Sequence, residues 1–220
     1  MPRAIDRGRA AGHYQDALRD IIHAFKYEGR RSLAAPLAAL MHRQAGALFD
    51  DVDWIVPVPL HWKRERDRGF NQASDLARSL LTHHGETASA RRPRLLHALR
   101  RARHTTAQAD LPAARRHRNV RDAFALSVSA IDVAYEAACV LRKTVAKSSP
   151  NSEKASRPSK MRRRGEDAAI RALTGSIVLL VDDVSTTGAT MDACARVLKD
   201  AGVKEVRAIT AARVVMRPSR

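Results

Sequence analysis

The feature that most constrains this 220-residue chain is the apolar run at residues 177–181 (IVLLV), which ends in two adjacent aspartates, Asp182 and Asp183. A short, uninterrupted apolar run of this kind is typical of a strand buried on both faces, as in a parallel sheet. A helical pattern follows it, and a second apolar segment spans residues 203–212. This strand–loop–helix–strand order predicts an α/β fold with a mostly parallel sheet flanked by helices.

The loop after the aspartates is small and rich in hydroxyl groups, and it leads into the helix. Exposed backbone N–H groups, hydroxyl donors and the helix N-terminus together favour a phosphate monoester. The two carboxylates ahead of the loop suit a sugar diol, or a hydrated Mg²⁺ held on one. The pattern therefore predicts a ligand such as a ribose 5-phosphate, and the alternative is a surface loop with two solvated acids. The candidate phosphate-binding residues are Ser185, Thr186, Thr187, Gly188, Ala189 and Thr190.

The rest of the chain contains further candidate elements. Apolar residues at three- and four-residue steps predict two helices within residues 14–48, separated at Gly29. Short apolar runs predict strands at 53–60, 94–99 and 119–128, and an amphipathic pattern predicts a helix near 71–82 capped by Asn71. Residues 63–68 read as a basic loop, and His83 and His84 as surface residues.

The composition points to an anionic partner. The chain has 40 Lys and Arg against 23 Asp and Glu, a formal charge of +17. Such a charge favours nucleic acid, phosphorylated small molecules or an acidic membrane surface. Its two cysteines exclude a zinc ribbon or a disulfide scaffold within this sequence, and no apolar run is long enough to span a membrane. The start has no signal-peptide pattern, so we expect a cytoplasmic protein.

Two groups of motifs resemble a known family. Residues 178–190 (VLLVDDVSTTGAT) resemble the 5-phosphoribosyl-1-pyrophosphate (PRPP) signature of type I phosphoribosyltransferases. Residues 56–73 (VPVPLHWKRERDRGFNQA) and 101–111 (RARHTTAQADL) resemble segments of ComF/GntX-type proteins. The resemblance implies a Rossmann-like type I phosphoribosyltransferase fold over residues 51–220, with a helical segment at 1–50 packed on it. Family members often begin with a four-cysteine zinc ribbon, which this sequence lacks.

The same resemblance implies roles for the site residues. Asp182 and Asp183 would hold the ribose hydroxyls of PRPP together with Mg²⁺, with no other metal ligand expected. The loop after the first core strand would hold pyrophosphate, although a solvated charged loop is an equal alternative, and the Val58–Pro59 bond could be cis. Candidates in that loop are Pro59, Lys63, Arg64, Arg66 and Arg68. Candidates in a mobile loop that closes over PRPP are Arg101, Arg103, Thr105, Gln108, Arg115 and Arg116; the alternative is a disordered basic loop.

Two functions follow as expectations. The first is phosphoribosyl transfer from PRPP to a nitrogen nucleophile, with release of pyrophosphate, in competence or DNA uptake. The second is a non-catalytic module that senses PRPP or a nucleotide and binds single-stranded DNA, a competence helicase or another DNA-processing partner through its basic surface. The aromatic content of 4% leaves little for base stacking. A basic insertion at about 132–172 is expected to be mobile. The nucleophile and the oligomeric state stay open, with a dimer as one alternative.

Overall fold

A five-stranded parallel sheet lies at the centre of the residues that the structure describes. The structure, a computed structural model, describes residues 4–87, 93–101, 123–127 and 170–215. The strand order is β1-β7-β6-β2-β3, and every pairing is parallel. Its strands are β1 (Arg7–His13), β2 (Trp54–Pro57), β3 (Arg94–Leu95), β6 (Ile177–Ser185) and β7 (Glu205–Arg213). The α/β fold with a mostly parallel sheet is confirmed.

Helices cover both faces of this sheet. One face is covered by α1 (Asp16–Tyr27), α2 (Ala34–Ala45) and α4 (Gln72–Thr87), and the other by α5 (Ala189–Asp200). A further helix, α3 (Trp62–Arg68), buries no residue. Short 3₁₀ turns at Arg31–Leu33 and Gly46–Phe49 flank α2. The predicted helix break at Gly29 is confirmed, because that residue adopts a φ of +66° between α1 and α2.

The alternation of side chains along β6 explains the two layers. Val178 and Leu180 point to the face that α5 covers, whereas Leu179 and Val181 point to the face covered by α1, α2 and α4. All four side chains are fully buried. Each contributes about 1.5–3 kcal/mol by leaving water, which is why the run is apolar on both faces.

The second and third predicted strands differ from expectation. Residues 94–99 contain two short elements, since β3 joins the main sheet while β4 (Leu99–Arg101) leaves it. β4 pairs antiparallel with β5 (Phe124–Leu126) in a separate ribbon. Of the predicted mobile insertion at 132–172, only residues 170–172 are described, and they are helical. The rest of the insertion, with Cys139, lies outside the described residues.

Sequence analysis missed the first strand. β1 has the sequence RGRAAGH, which contains no β-branched or aromatic residue, so no strand pattern is visible. It forms through backbone pairing with β7, and the Asp6 carboxylate accepts the Val206 N–H at 2.7 Å beside it. The N-terminal segment therefore supplies a strand to the sheet as well as the predicted helices.

Two histidines, one on α2 and one on α4, are in contact with each other. His42 Nε2 and His84 Nδ1 lie 3.4 Å apart, and His84 stacks on Phe49 with ring centroids 4.9 Å apart. His84 is half-buried by this packing, which differs from the expected surface position. Burial, followed by the charge of His84, lowers the pKa of His42. Burial also lowers the pKa of His84 despite the opposing charge of Asp50.

We expect the unfolding midpoint to fall as the pH drops below about 6.5, because the unfolded chain then takes up protons that these folded imidazoles resist. The measurement is urea denaturation from pH 8 to pH 5. His84→Gln should flatten the dependence, whereas His13→Gln, at an exposed position, should not. Equal slopes in the wild type and His84→Gln would contradict the assignment.

Candidate functional site

The loops after β2 and β6 open into one cleft of about 930 Å³. The two strands are neighbours, with Pro57 paired to Val181, so both loops leave the carboxyl edge of the sheet side by side. Ligands of open α/β folds bind at this edge. Predicted site residues that line the cleft are Pro59, Arg64, Arg68, Arg101, Asp182, Asp183, Thr186 and Thr190. The fold thus brings together residues of the three segments 56–73, 101–111 and 178–190.

Other predicted residues stand apart from the cleft wall. Lys63 and Arg66 are not among its lining side chains, and Arg66 instead stacks over the ring of Trp62 at 5.2 Å. The cleft is not lined by Ser185, at the end of β6, by Thr187 and Gly188 in the loop, or by Ala189, at the start of α5. Arg103, Thr105, Gln108, Arg115 and Arg116 lie outside the described residues.

The acidic pair has an internal partner. Asp183 Oδ2 lies 3.0 Å from Lys26 Nζ, and the two side chains are only 12% and 15% exposed. Burial by itself lowers the pKa of Lys26, but the charge and hydrogen bond of Asp183 outweigh it and raise the pKa above its ordinary value. A nearly dry ion pair therefore occupies one carboxylate of the signature.

The other carboxyl group of the pair, that of Asp182, has a raised pKa. Burial and the adjacent charge of Asp183 raise the pKa of Asp182 to about 7. A hydrogen bond from a backbone amide and the charges of Lys26 and Arg101 act in the opposite direction. That hydrogen bond comes from the Asp183 N–H to Asp182 Oδ1 at 2.9 Å. Near neutral pH the Asp182 carboxyl can thus donate to a sugar hydroxyl as well as accept from one.

The hydroxyl-rich loop turns at Gly188. This residue precedes α5 with a φ of +78°, a left-handed conformation that glycine adopts without the strain of a side chain. The Thr187 hydroxyl accepts the Ala189 N–H at 3.4 Å, which holds the start of the helix. The turn lets the chain pass directly from the buried strand to the N-terminus of α5.

The segment after β2 is a helix, α3, where the sequence suggested a loop. The His61 ring accepts the Lys63 N–H at 3.2 Å at its start, and Gly69, with a φ of +77°, ends it. These two caps were not recognised because the run of charges obscured them. The Val58–Pro59 bond is trans, contrary to the expected alternative. The predicted cap is confirmed, since Asn71 Oδ1 accepts the Ala73 N–H at 3.0 Å.

Three arginines converge on the cleft from α3 and β4. Arg68 lies over the Tyr27 ring at 4.8 Å and donates to Gln72 Oε1 at 3.1 Å. Burial, together with the nearby charge of Arg64, lowers the pKa of Arg101. Like charges are thus held together at the cleft, an arrangement that a polyanionic ligand would stabilise.

Comparisons with known proteins agree with this geometry. Residues 122–219 match the family model described as "Phosphoribosyl transferase domain". The chain is also 28% identical over 201 residues to Competence protein F of Haemophilus influenzae, covering 89% of this chain and 68% of that protein. The chain is similar to ComF-type proteins of the phosphoribosyltransferase family.

The cleft is also lined by side chains that sequence analysis did not select, among them Lys26 and Gln72. Gln72 is only 2% exposed, and its Nε2 has no hydrogen-bond partner among the described residues. One signal was available for Lys26. It lies directly after the buried Phe25 and one turn after the buried Ile22, on the face of α1 that packs against the sheet.

The acidic pair does not fit a resident magnesium ion. Magnesium prefers carboxylate oxygens, but the Lys26 ammonium already sits 3.0 Å from Asp183 Oδ2. Nowhere in the described ranges do three or more His, Cys, Asp or Glu side chains form a group that could hold a metal. Those ranges also contain no helix long and apolar enough to cross a membrane.

Proposed function

We propose that the protein binds PRPP and transfers its phosphoribosyl group to a nitrogen nucleophile, with release of pyrophosphate. The observation that carries the proposal is the convergence of the aspartate pair, the hydroxyl-rich loop and three arginines on one cleft. The match of residues 122–219 to a phosphoribosyltransferase domain supports it. The similarity to Competence protein F of Haemophilus influenzae supports a role in competence for this protein as well.

The subsites follow from the chemistry of the ligand. Asp182 and Asp183 would bind the ribose hydroxyls, which donate well to carboxylates. The loop 185–190 and the N-terminus of α5 would bind the 5-phosphate, because exposed N–H groups and hydroxyls suit a phosphate monoester. The pyrophosphate would lie towards Arg64, Arg68 and Arg101, and magnesium would enter as the counter-ion of that diphosphate.

The reaction requires little covalent chemistry from the protein. The bond between C1 of the ribose and the pyrophosphate oxygen breaks, and its electron pair leaves with pyrophosphate. Positive charge develops on the ribose, and the lone pair of the nitrogen nucleophile forms the new bond to C1. The nitrogen then loses a proton to solvent. The arginines would stabilise the leaving group, and the aspartates would fix the ribose, so positioning and electrostatics supply the rate enhancement.

A second candidate function is a sensing module that also binds single-stranded DNA. Its supporting observation is a pair of exposed aromatic rings near the cleft, Trp62 and Tyr27, each 61% exposed. Arg66 and Arg68 stack on these rings at 5.2 and 4.8 Å. Aromatic rings beside arginines are typical of surfaces on which bases stack.

The test is calorimetric titration of the wild type with PRPP and Mg²⁺, followed by a pyrophosphate-release assay with ammonia and a panel of nucleobases. We expect saturable binding of PRPP, weaker binding of ribose 5-phosphate, and release that depends on one nucleophile. Binding without release for any nucleophile would favour the sensing module. A folded protein that binds neither ligand would contradict both versions of the site.

A further inference from the structure

Lys26 belongs to α1 and lies outside the segment matched by the family model. Its side chain extends from α1 and lines the cleft, and its ammonium contacts the Asp183 carboxylate. α1 is rigidly placed, because Phe25 and Ile22 are fully buried and Phe25 packs against Phe70 with ring centroids 5.6 Å apart. The packing of α1 therefore fixes where the Lys26 side chain begins, and so limits where its ammonium can lie.

A structural role does not account for this ion pair well. Buried ion pairs are weak sources of stability, since removing two charges from water costs about as much as their attraction returns. The neighbouring hydrophobic positions of α1 already anchor the helix. An ion pair placed at the wall of a ligand cleft, between a lysine and a signature carboxylate, has a simpler explanation as part of the site.

In charge and position, the Lys26 ammonium resembles a cation bound to Asp183. The two carboxylates carry at most two negative charges, and Lys26 neutralises one of them. Its ammonium occupies the volume beside Asp183 Oδ2 at 3.0 Å and repels any second cation there. An ammonium also has three N–H donors, so those not directed at Asp183 can donate to a ribose hydroxyl oxygen.

We propose that Lys26 is the resident cation of the acidic pair: its ammonium takes the position at Asp183 that a divalent ion would otherwise take, and the ribose diol binds there without metal. This proposal rests on the proposed function for the identity of the diol ligand. The exclusion of a divalent ion from the pair concerns the unliganded protein and stands independently. Magnesium is then needed only at the diphosphate end of PRPP.

The first experiment follows Mn²⁺ binding to the unliganded protein by the electron paramagnetic resonance signal of free Mn²⁺. Wild type and Lys204→Met, a matched change at an exposed lysine, should show no site at the pair. Lys26→Met should gain one site per chain, at least about tenfold tighter than any wild-type binding, since one positive charge has been removed from the carboxylates. Lys26→Met/Asp183→Asn should lose that site again.

Lys26→Arg and Lys26→Gln separate the role of the charge from that of packing. The arginine variant keeps the charge and should exclude Mn²⁺ as the wild type does, whereas the glutamine variant should gain the site if Lys26→Met fails to fold. Circular dichroism checks each fold. Wild-type protein that binds Mn²⁺ as tightly as the folded Lys26→Met or Lys26→Gln variant, with binding lost in Asp183→Asn, would overturn the proposal.

The second experiment needs only the wild type. Ribose 5-phosphate lacks the diphosphate, so its affinity should change less than twofold between EDTA and Mg²⁺, and a tenfold gain with Mg²⁺ would overturn the proposal. If ribose 5-phosphate and PRPP both fail to bind, the proposed function fails. The Mn²⁺ titration still decides whether Lys26 holds the pair, so the two failures are distinguishable.

Discussion

Replacing Asp182 and Asp183 together by asparagine is expected to lower the affinity for ribose 5-phosphate roughly 10²–10⁴-fold. Hydrogen bonds to charged groups contribute about 1.5–3 kcal/mol each, and the double change weakens one at each carboxyl. Asparagine keeps the volume of both side chains, so the hydrophobic layers on either side of β6 stay filled. The measurement is calorimetric titration of wild type and variant at pH 8.

Two controls make that result specific. Asp200→Asn removes an exposed carboxylate at the end of α5 and should leave the affinity unchanged. Thermal unfolding of the double variant shows whether Lys26, which loses its partner, has altered the fold. DNA binding that falls steeply with salt should be retained by the variant if the basic surface acts separately. Unchanged affinity for ribose 5-phosphate in a folded double variant would remove the aspartates from the site.

Arg207→Met is expected to destabilise the protein by about 3–5 kcal/mol, the usual cost of removing one partner from a buried, hydrogen-bonded charge pair. Arg207 is 3% exposed and holds Glu205 through Nε at 2.9 Å and Nη2 at 3.1 Å. Its Nη1 also donates to the carbonyls of Ala47, Leu48 and Asp50 in the turn after α2. Those carbonyls would lose a buried donor.

Arg7→Met is the matched control for this change. Arg7 also contacts Glu205, at 2.7 Å, but its side chain is 47% exposed, so its loss should cost under about 1 kcal/mol. Urea denaturation of both variants measures the difference. Hydrogen bonds from Arg207, then Arg7, lower the pKa of Glu205 to about 2, so stability from this network should decline as the pH falls from about 4.5 towards 2. Equal small losses in both variants would show that Arg207 is dispensable.

The parts of the fold that could be predicted are those where one physical pattern dominates locally. The run before Asp182 is apolar at every position because β6 is buried on both faces. Asn71 was recognised as a cap because its side chain satisfies an amide two residues away. In these cases the cause and the residue are close in sequence, so a single chain carries enough information.

The missed features depend on partners far away in the chain. β1 forms only because β7 offers an edge with free backbone hydrogen-bonding groups. Lys26 enters the site only because α1 packs on the sheet beside Asp183. The pairing of β1 leaves no local pattern, and for Lys26 the only local signal is its place beside the buried Ile22 and Phe25. The short strands near Leu95 and Leu99 looked like one strand because the change of sheet between them involves no distinctive residue.

The pairing of β1 with β7 has a consequence for the order of folding. Asp6 and Val206, which are hydrogen-bonded beside these strands, are separated by 200 positions. During synthesis β1 is made before β7, so it has no partner until roughly this whole intervening stretch has been synthesised. Contacts of such long range close slowly, because the intervening chain must be ordered before they form. We therefore expect nascent chains to expose this strand throughout translation, and a holdase chaperone that binds extended segments to speed recovery of folded protein.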